Sequence, residues 1–506
     1  MTNSLLNGMK SASNYKLTEN GGITHKTTNS DLLDMFAMGA AMRKRSDEDV
    51  ILMFQKAFAE NAELAMKMLF YIRDVRGGQG ERRFFRTIMS WAATRKETRE
   101  SVRKNIQYFP EFGRWDDLYC LVGTPLEKDA LSFMKEQLAL DVQCKTPSLL
   151  AKWLKSENAS SGETKRLADV TRRYLGMTHR EYRKTLSILR ARINVLEVLM
   201  SANRWDEIEF DKIPSKAGLI YKNAFARRDI IKAKYEKFAK DENTKVNAAT
   251  LYPYEVVEKA IQLMGSQGWN RKNVALDNVD RLMINKYWDN LADYFNGAQL
   301  NALCMVDTSG SMSGTPINVA TALGLYCAEK AGGPFANHYI SFSSRPQLIE
   351  TAGVDFCDKV DRIVRTNLCE NTNSDAAFDM VLNTARANRV AQEDMPEYIL
   401  VISDMEFDQA TGNYWRRSGS GMTTANAETV METIARTWQK AGYEMPKLIY
   451  WNVDARQANI PMIGNRNVSY VSGFSPSIFK SIITGKTGWD LMIEAICAER
   501  YECIHA

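Results

Sequence analysis

The sequence predicts a multidomain α and α/β chain in which a helical repeat region precedes a Rossmann-like, doubly wound domain. Two observations support this division. Over roughly the first 290 residues, apolar side chains recur at spacings of three and four, which is typical of amphipathic helices. From Asn301 onward, short apolar runs alternate with helical stretches, the βαβα pattern of a mostly parallel sheet covered on both faces.

The helical region is interrupted by short turns. We expect turns at 76–80 and 123–125, where glycine or proline is found. Repeated helix pairs on this scale predict an α-solenoid or a ring, although the sequence has no sharp period. Residues 12–28 are expected to be loosely ordered. Apolar spacing predicts helices over 32–42, 47–75 and 83–93.

One predicted helix has both a start signal and a basic face. Thr178 and Glu181 form a capping box, in which a hydroxyl and a carboxylate satisfy the opening backbone N–H groups. Behind it, apolar residues spaced by four and three predict one continuous stripe: Tyr182, Leu186, Leu189, Ile193, Leu196 and Met200. An adjoining face carries Arg180, Arg183, Lys184 and Arg190. A solvated cationic surface is the alternative to a binding face.

The second region begins near 294–299, where Asn296 and Gly297 indicate a turn. Its last helix is expected to turn Trp489, Met492 and Ile496 inward. The pattern predicts strands at 303–306, 338–342, 398–402, 448–451 and 468–471, and helices at 315–330, 375–388, 426–440 and 476–483. We therefore divide the chain into a polar segment 1–28, a helical domain 29–295 and an α/β domain 300–506.

Composition excludes several classes of protein. With 45% hydrophobic and 25% charged residues the chain is typical of globular proteins. No apolar run approaches membrane-spanning length, and the first 26 residues lack the apolar segment of a secretory signal. The 8 cysteines form no CxxC pair and there are only 4 histidines, so we expect neither a zinc site nor a disulfide framework. A reducing cytosol is the simplest compartment.

Charge is unevenly distributed along the chain. Residues 1–250 contain 44 Lys+Arg and 32 Asp+Glu, whereas residues 251–506 contain 22 and 29. A net charge of +12 on the first half, against −7 on the second, favours a polyanionic partner for the helical region. The alternative is that the charge varies along the chain without reflecting any binding partner.

Oxygen-bearing side chains follow two of the predicted strands. Asp307, Ser309 and Ser311 come after one apolar run, and Asp404 ends another. Thr372 lies between them in the sequence. Because ligands of open α/β sheets bind at the carboxyl ends of strands, these residues predict a site for Mg²⁺, or for Mn²⁺ or Ca²⁺. The alternatives are helix capping by the serines and a phosphotransfer enzyme of the haloacid dehalogenase type.

Residues 300–480 resemble a von Willebrand factor A domain with its metal-ion-dependent adhesion site. The resemblance is carried by Asp307-x-Ser309-x-Ser311, followed by Thr372 and Asp404. It implies that the hydroxyls bind or brace the ion, that the aspartates act largely through water, and that a partner's acidic oxygen completes the shell. Met405 departs from the Thr-Asp-Gly of many family members. Glu406 and Asp408 are expected to compete for the ion or to repel an acidic partner.

The helical region contains four distinctive motifs: Tyr71-Ile-Arg-Asp-Val-Arg-Gly-Gly-Gln-Gly-Glu-Arg82, Phe112-Gly-Arg-Trp-Asp-Asp-Leu118, Ser148-Leu-Leu-Ala-Lys-Trp-Leu154 and Ile213-Pro-Ser-Lys-Ala217. Through them it resembles the TROVE module of the Ro ribonucleoprotein family, nearest to a less characterised Ro-like branch. The resemblance implies a monomeric ring of HEAT-like repeats closed by the A domain. It also implies binding of structured small RNAs on the outer surface and of single-stranded RNA ends in the central hole.

Basic residues beside aromatic residues suit RNA, because bases stack and phosphates pair with cations. The alternative places Trp115 and Trp153 in the core, pairs Asp116 and Asp117 with arginines, and leaves the glycines of 77–80 to a tight connection. The candidate RNA-binding residues are Arg73, Arg76, Arg82, Arg83, Arg86, Lys152, Lys155, Arg180, Arg183, Lys184 and Arg190.

The sequence thus predicts a non-enzymatic, cytoplasmic, Ro-like RNA-binding protein whose Mg²⁺-binding A domain recruits a partner. No Ser-His-Asp or Cys-His arrangement suggests a catalytic base. Two rival functions stay open. One is a metal-dependent protein-interaction scaffold without RNA, and the weaker one is a Mg²⁺-dependent phosphoryl hydrolase.

Overall fold

The computed structural model describes most of the chain. The described residues are 14–193, 195–248, 251–264, 278–342, 345–353, 355–366, 373–408, 429–463 and 467–506, with the side chains of 364–366 excluded. Thr372 and parts of the helix predicted at 426–440 lie outside these ranges. Among the described residues, no helix is both long and apolar enough to cross a membrane.

The chain packs into two compact units. We call Met1–Asn61 with Leu251–Ala498 the sheet unit, and Ala62–Thr250 with Glu499–Ala506 the helical unit. Packing therefore divides the chain differently from the sequence domains 29–295 and 300–506. The physical reason is that helices on both sides of Ala62–Thr250 bury their apolar faces within the sheet unit.

The helices follow the predicted order of a long helical stretch and then an α/β stretch. In chain order they are α1 (Asp31–Met38), α2 (Asp47–Glu60), α3 (Ala62–Arg73), α4 (Arg82–Thr94), α5 (Lys96–Asn105), α6 (Phe109–Phe112), α7 (Glu127–Gln143), α8 (Leu150–Trp153), α9 (Gly162–Leu175), α10 (His179–Arg192), α11 (Leu196–Ser201), α12 (Ser215–Ala226), α13 (Asp229–Lys240), α14 (Pro253–Leu263), α15 (Asn278–Asp289), α16 (Thr315–Lys330), α17 (Phe356–Thr366), α18 (Ser374–Asn388), α19 (Val430–Lys440), α20 (Phe479–Ile482) and α21 (Gly488–Ile496). Short 3-10 turns lie at Gly39–Ala41, Ile106–Tyr108, Trp115–Leu121, Trp205–Glu207, Gly310–Met312, Gln392–Asp394, Pro476–Ile478 and Glu499–Tyr501. The predicted fold class, helices followed by a mostly parallel sheet, is confirmed.

Two long helices of the sequence prediction are each divided in the structure. The helix predicted over 47–75 is interrupted at Asn61, whose backbone is extended (φ −158°, ψ 108°). The capping box at Thr178 is confirmed, but α10 ends at Arg192 and α11 begins at Leu196. The continuous stripe from Tyr182 to Met200 is therefore wrong, because Val195 is extended (φ −61°, ψ 124°) and apolar spacing alone does not reveal such a break.

The sheet has six strands in the order β5-β4-β3-β6-β7-β8. β4 and β5 are antiparallel, and the other neighbours are parallel. Every residue of β3, β6 and β8 is buried, as expected for strands covered on both faces. The strands are β3 (Ala302–Asp307), β4 (His338–Phe342), β5 (Gln347–Glu350), β6 (Tyr398–Ser403), β7 (Lys447–Asn452) and β8 (Val468–Ser472), and a separate hairpin contains β1 (Tyr15–Leu17) and β2 (Ile23–His25).

A glycine allows α16 to approach the central strand closely. A Cβ added at Gly324 would lie 2.4 Å from Val306 Cγ2, so a larger residue cannot occupy this position without movement. Val306 directly precedes Asp307, the last residue of β3. The packing of α16 thus fixes the strand that positions the candidate metal ligands.

Three smaller sequence predictions are corrected. Residues 12–28 were expected to be loosely ordered, yet they contain the β1–β2 hairpin. Neither the edge strand β5 nor helix α17 was predicted. β5 has one buried residue in four and so gives a weak pattern, whereas α17 has the amphipathic spacing of Phe356, Val360 and Ile363, which was overlooked. Trp489 is 39% exposed rather than inward, whereas Met492 and Ile496 are buried.

Candidate functional site

The candidate metal ligands lie where two central strands end. β3 ends at Asp307 and its parallel neighbour β6 ends at Ser403, followed by Asp404. The chain leaves β3 toward β4 on one side and reaches β6 on the other. This is the topological switch point at which doubly wound sheets bind their ligands.

The Asp307-x-Ser309-x-Ser311 turn brings three oxygen-bearing side chains together. The Ser309 backbone N–H donates to Asp307 Oδ1 at 2.9 Å, and Ser309 Oγ lies 3.0 Å from Ser311 Oγ. Asp307 and Ser309 are buried, and Ser311 is half-buried. Neither serine side chain caps the following 3-10 turn or α16, so the capping alternative is not supported.

Ser403 joins the two strand ends and was missed by the sequence analysis. Its hydroxyl donates to Asp307 Oδ2 at 2.6 Å and accepts from the Met405 backbone N–H at 3.0 Å. Burial, and then the negative charge of Asp404, raise the pKa of Asp307 to about 7. Two carboxylates buried this close together repel each other, which favours a cation beside them.

Arg456 supplies one such cation. Its Nη2 donates to Asp404 Oδ2 at 2.7 Å, and its Nη1 lies 3.2 Å from Glu19 Oε2. Asp404 is fully buried, while the Arg456 side chain is 27% exposed. Burial opposes the charged guanidinium, but Asp404 and Glu19 raise its pKa overall. One sequence signal was available, because Arg456 follows the carboxyl end of β7 at the same edge of the sheet.

Glu406 faces the amino-terminal hairpin. Its Oε2 accepts from the Glu19 backbone N–H at 2.8 Å, and its backbone carbonyl accepts from Asn20 Nδ2 at 2.5 Å. Burial, followed by the charges of Asp404 and Glu19, raises the pKa of Glu406. The hairpin therefore holds this carboxylate, which the sequence analysis expected to compete for the metal.

The donor set fits a small divalent cation. Mg²⁺ binds oxygen at about 2.0–2.1 Å in an octahedron, so neighbouring ligands are separated by about 2.9 Å. Ser309 Oγ and Ser311 Oγ have this separation, although a hydrogen bond between them has the same length. Among the described residues, no group of three or more His, Cys, Asp and Glu side chains is arranged so that it could hold a metal ion. Thr372, the remaining predicted ligand, is outside the described residues.

Two arginines predicted to bind RNA have internal roles in the helical unit. Arg73 is 2% exposed and forms an ion pair with Asp117 at 2.7 Å, passing over Gly113. Arg190 donates to the carbonyls of Ala151 and Leu154, each at 2.8 Å. We therefore reassign Arg73 and Arg190 to structure, because their donors are already satisfied by buried or backbone acceptors.

Three other predicted RNA-binding residues, Arg82, Arg86 and Lys155, lie with Arg114 around Asp116. We call Arg82, Arg86, Arg114 and Lys155 the arginine cluster. Arg86, Arg114 and Lys155 contact Asp116 at 3.0, 2.9 and 3.5 Å. Arg82 is exposed, and burial together with the charges of Arg114 and Arg86 lowers its pKa. Cations thus outnumber carboxylates here.

Trp153 borders the arginine cluster. The Arg114 guanidinium carbon is 4.0 Å from the centre of the Trp153 ring, and Lys152 Nζ is 5.6 Å from it. Trp153 is half-buried rather than in the core, and Trp115, which is also half-buried, stacks on Phe133 at 5.1 Å. Arg114 was not among the predicted RNA-binding residues, although it lies in the quoted Phe112–Leu118 motif.

The exposed face of α10 carries three basic side chains that are not part of the arginine cluster. Arg180, Arg183 and Lys184 are exposed, and none of them forms an ion pair with a described residue. Their charges are therefore available to an external partner. Tyr182 on the opposite face is buried, so these side chains are not required for packing.

The glycine-rich turn at 76–80 has a structural explanation. A Cβ at Gly78 would lie 1.9 Å from the Tyr71 carbonyl oxygen, and Gly80 has φ +66°. Asp74 organises the turn by accepting from the Arg76 backbone and from Arg500, at 2.9 and 2.6 Å. Arg76 itself is exposed and donates to the Glu111 carbonyl. Arg83, the remaining predicted RNA-binding residue, is half-buried.

A family model described as domain of unknown function DUF2828 matches residues 18–149 and 137–296, more than half of the chain. This chain belongs to the DUF2828 family. A second model, described as domain of unknown function DUF7788, matches residues 301–499. In this DUF2828 member, the arginine cluster and α10 thus lie within the residues that the DUF2828 model matches. The candidate metal ligands lie within the residues that the DUF7788 model matches.

Two proteins resemble this DUF2828 member over most of its length. An uncharacterized protein of Acanthamoeba polyphaga mimivirus is 29% identical over 518 residues, covering 94% of this chain and 85% of the relative. The crystal structure of the Ro protein of Deinococcus radiodurans aligns with a TM-score of 0.47 and 14% identity, covering 94% of this chain and 100% of that one. At so low a TM-score the likeness supports no conclusion about function.

Proposed function

We propose that this DUF2828 member binds RNA through the helical unit, and that its sheet unit holds a divalent cation that recruits a partner. The observation that carries the RNA proposal is the exposed set Arg180, Arg183 and Lys184, which has no internal ion partner among the described residues. Unpaired surface cations are the groups that neutralise phosphates and release counterions.

The arginine cluster adds a second element of nucleic-acid recognition. Arg82 is exposed among other guanidinium groups, so binding a phosphate would relieve their mutual repulsion. Arg114 and Trp153 offer a stacked cation and ring beside it, and aromatic faces accept unstacked bases. Charge and stacking in one region favour single-stranded segments or loops over a regular duplex.

The overall charge of the helical unit supports the same proposal. Residues 62–250 contain 37 Lys+Arg and 25 Asp+Glu, so the excess of positive charge lies in this segment rather than in the amino-terminal residues that join the sheet unit. Together with the sequence resemblance to the Ro family, this favours small structured or single-stranded RNA as the ligand.

For the sheet unit, the proposed ligands of Mg²⁺ are Ser309 and Ser311, with Asp307 and Asp404 acting largely through water. Thr372 belongs to this set by sequence only. When bound, the ion would offer an electrophilic position to a carboxylate or phosphate oxygen of a partner. Residues 307–311 hold the hydroxyls, and Ser403 keeps Asp307 in place. We propose a non-enzymatic role, and a cytoplasmic, monomeric protein.

RNA binding is tested first on the purified protein. Copurifying nucleic acid, detected as a raised A260/A280 ratio that RNase treatment removes, is the expected result. Fluorescence anisotropy with a labelled single-stranded RNA at low salt measures the affinity directly. A clean protein spectrum and no binding at low salt would contradict the RNA proposal and favour the protein-interaction scaffold.

The metal proposal has an independent test. Mg²⁺ should raise the melting temperature of the wild-type protein, because a ligand that binds only the folded state stabilises it. The effect should vanish in Asp307→Asn and persist in the matched control Asp379→Asn, which is half-buried on α18 away from the β3 end. Mg²⁺-dependent turnover of a model phosphate ester that is lost in Asp307→Asn would instead support the hydrolase.

A further inference from the structure

Arg456 places a cation at the carboxylate that the metal site would use. We propose that Arg456 is an internal competitor of the divalent cation for Asp404, so that it sets the cation concentration at which the site binds. This inference rests on the metal site proposed above. It assigns a function to a residue that follows β7 and lies outside the adhesion-site motif.

The hydrogen bonds of Asp404 are the first support. Asp404 Oδ1 accepts from the Glu406 backbone N–H at 3.2 Å, and Oδ2 accepts from Arg456 Nη2 at 2.7 Å. Both oxygens of this fully buried carboxylate are therefore engaged. A cation or its bound water that uses Asp404 must therefore share an oxygen that already accepts a hydrogen bond, and at Oδ2 it competes with the guanidinium directly.

The balance of charge is the second support. Asp307, Asp404 and Glu406 are buried together, and Arg456 is the cation that contacts Asp404. Without a cation, carboxylates in such surroundings would repel one another strongly. A single guanidinium lowers that repulsion but leaves an excess of negative charge. The site therefore still attracts a divalent cation, at a lower affinity than it would have without Arg456.

The third support is that the Arg456 side chain has a route away from Asp404. Its backbone is fixed, because its carbonyl accepts from Arg45 Nη1 at 3.0 Å. The side chain borders an open cavity of about 550 Å³ that is also lined by Lys16, Lys44 and Arg45. The guanidinium can thus move without refolding of the chain. In the structure its contacts with Asp404 and Glu19 keep it at the site.

The test measures Mn²⁺ affinity of the full-length protein by electron paramagnetic resonance, at constant ionic strength. Arg456→Gln should bind Mn²⁺ at least about ten-fold more tightly than the wild type, which corresponds to about 1.4 kcal/mol. Arg456→Lys, which keeps the charge, should stay within about three-fold of the wild type. Lys44→Gln is the matched control, because Lys44 lines the same cavity but pairs with Asp454.

The outcomes separate this inference from the proposal on which it rests. If the wild type and Arg456→Gln bind Mn²⁺ equally well, or the variant binds more weakly, Arg456 only supports the fold and the inference is overturned. An equal gain in Lys44→Gln would show that any lost positive charge near the site has the same effect, and would also overturn the inference. If both folded proteins fail to bind millimolar Mn²⁺, the metal site itself is refuted.

A second measurement does not depend on the folding of Arg456→Gln. In the wild type, Mg²⁺ should shift the Arg456 Nε–H signal in the nitrogen-15 spectrum, with the signal assigned by its absence from Arg456→Lys. An unchanged signal at a Mg²⁺ concentration that saturates the thermal shift would show that the guanidinium does not respond to the metal, and would overturn the inference.

Discussion

Neutralising the exposed basic face of α10 tests the proposed RNA interface most directly. The change is the triple variant Arg180→Gln, Arg183→Gln and Lys184→Gln. Because these side chains are exposed and form no ion pair with a described residue, we expect wild-type stability. RNA affinity should fall, because three phosphate contacts are removed at once.

The expected loss follows from counterion release. For a single strand, each neutralised phosphate contributes about 0.7 to the slope of log affinity against log salt, so three contacts account for about 2.1. At about 0.15 M salt this corresponds to roughly 50-fold in affinity, or about 2.4 kcal/mol. Fluorescence anisotropy over a salt series measures both the slope and the loss.

A matched control separates this face from the overall charge. The triple variant Lys232→Gln, Lys237→Gln and Lys240→Gln removes the same charge from exposed positions on α13, which packs against α12. It should keep an affinity within about three-fold of the wild type, because these lysines lie outside the proposed interface. An equal loss in both triple variants, or an unchanged salt slope in the α10 variant, would refute the assignment.

Three further substitutions test the packing that supports the two candidate sites. Asp117→Ala should lower the free energy of unfolding in urea by about 3–5 kcal/mol, because it leaves the buried Arg73 unpaired. Asp129→Ala, at an exposed ion pair, is the control and should cost at most about 1 kcal/mol. Similar losses in the two variants would contradict this ranking. Gly324→Ala should cost about 1–3 kcal/mol through its contact with Val306, and a stability equal to the wild type would show that α16 is not held by that contact. Met405 has φ +64° and is 2% exposed, so Met405→Gly relieves about 1–2 kcal/mol of backbone strain but loses about 2–5 kcal/mol of burial. A net loss on chemical denaturation is expected, and a gain in stability would show that strain dominates.

The sheet unit shows which secondary-structure elements the local apolar pattern can predict. Apolar runs identified the central strands β3 and β6 to within a residue or so, because strands buried on both faces are almost continuously apolar. The edge strand β5 was missed because an edge strand gives no such run, whereas α17 was missed although Phe356, Val360 and Ile363 have helical spacing. The Asp307 turn was found because its ligands are adjacent in sequence, whereas Ser403 and Arg456 act through contacts across strands.

In the helical unit, the basic residue types were predictable but their individual roles were not. Arg73, Arg82 and Arg190 all lie in basic stretches of the sequence. The structure buries Arg73 against Asp117, ties Arg190 to backbone carbonyls and leaves Arg82 exposed. Which arginine faces solvent depends on which carboxylate or carbonyl lies opposite, and periodicity along one helix does not contain that information.

By itself the sequence determined the order of helices and strands, the excess of positive charge before residue 250 and the oxygen-rich turn after β3. These depend on neighbours along the chain, where helical and strand periods act. Only tertiary structure decided that Arg456 contacts Asp404, that Glu406 is held by the amino-terminal hairpin, and that the cations on α10 have no ion partner among the described residues. Pairing of charges over long separations follows from packing, because the nearest opposite charge in space is seldom the nearest in sequence.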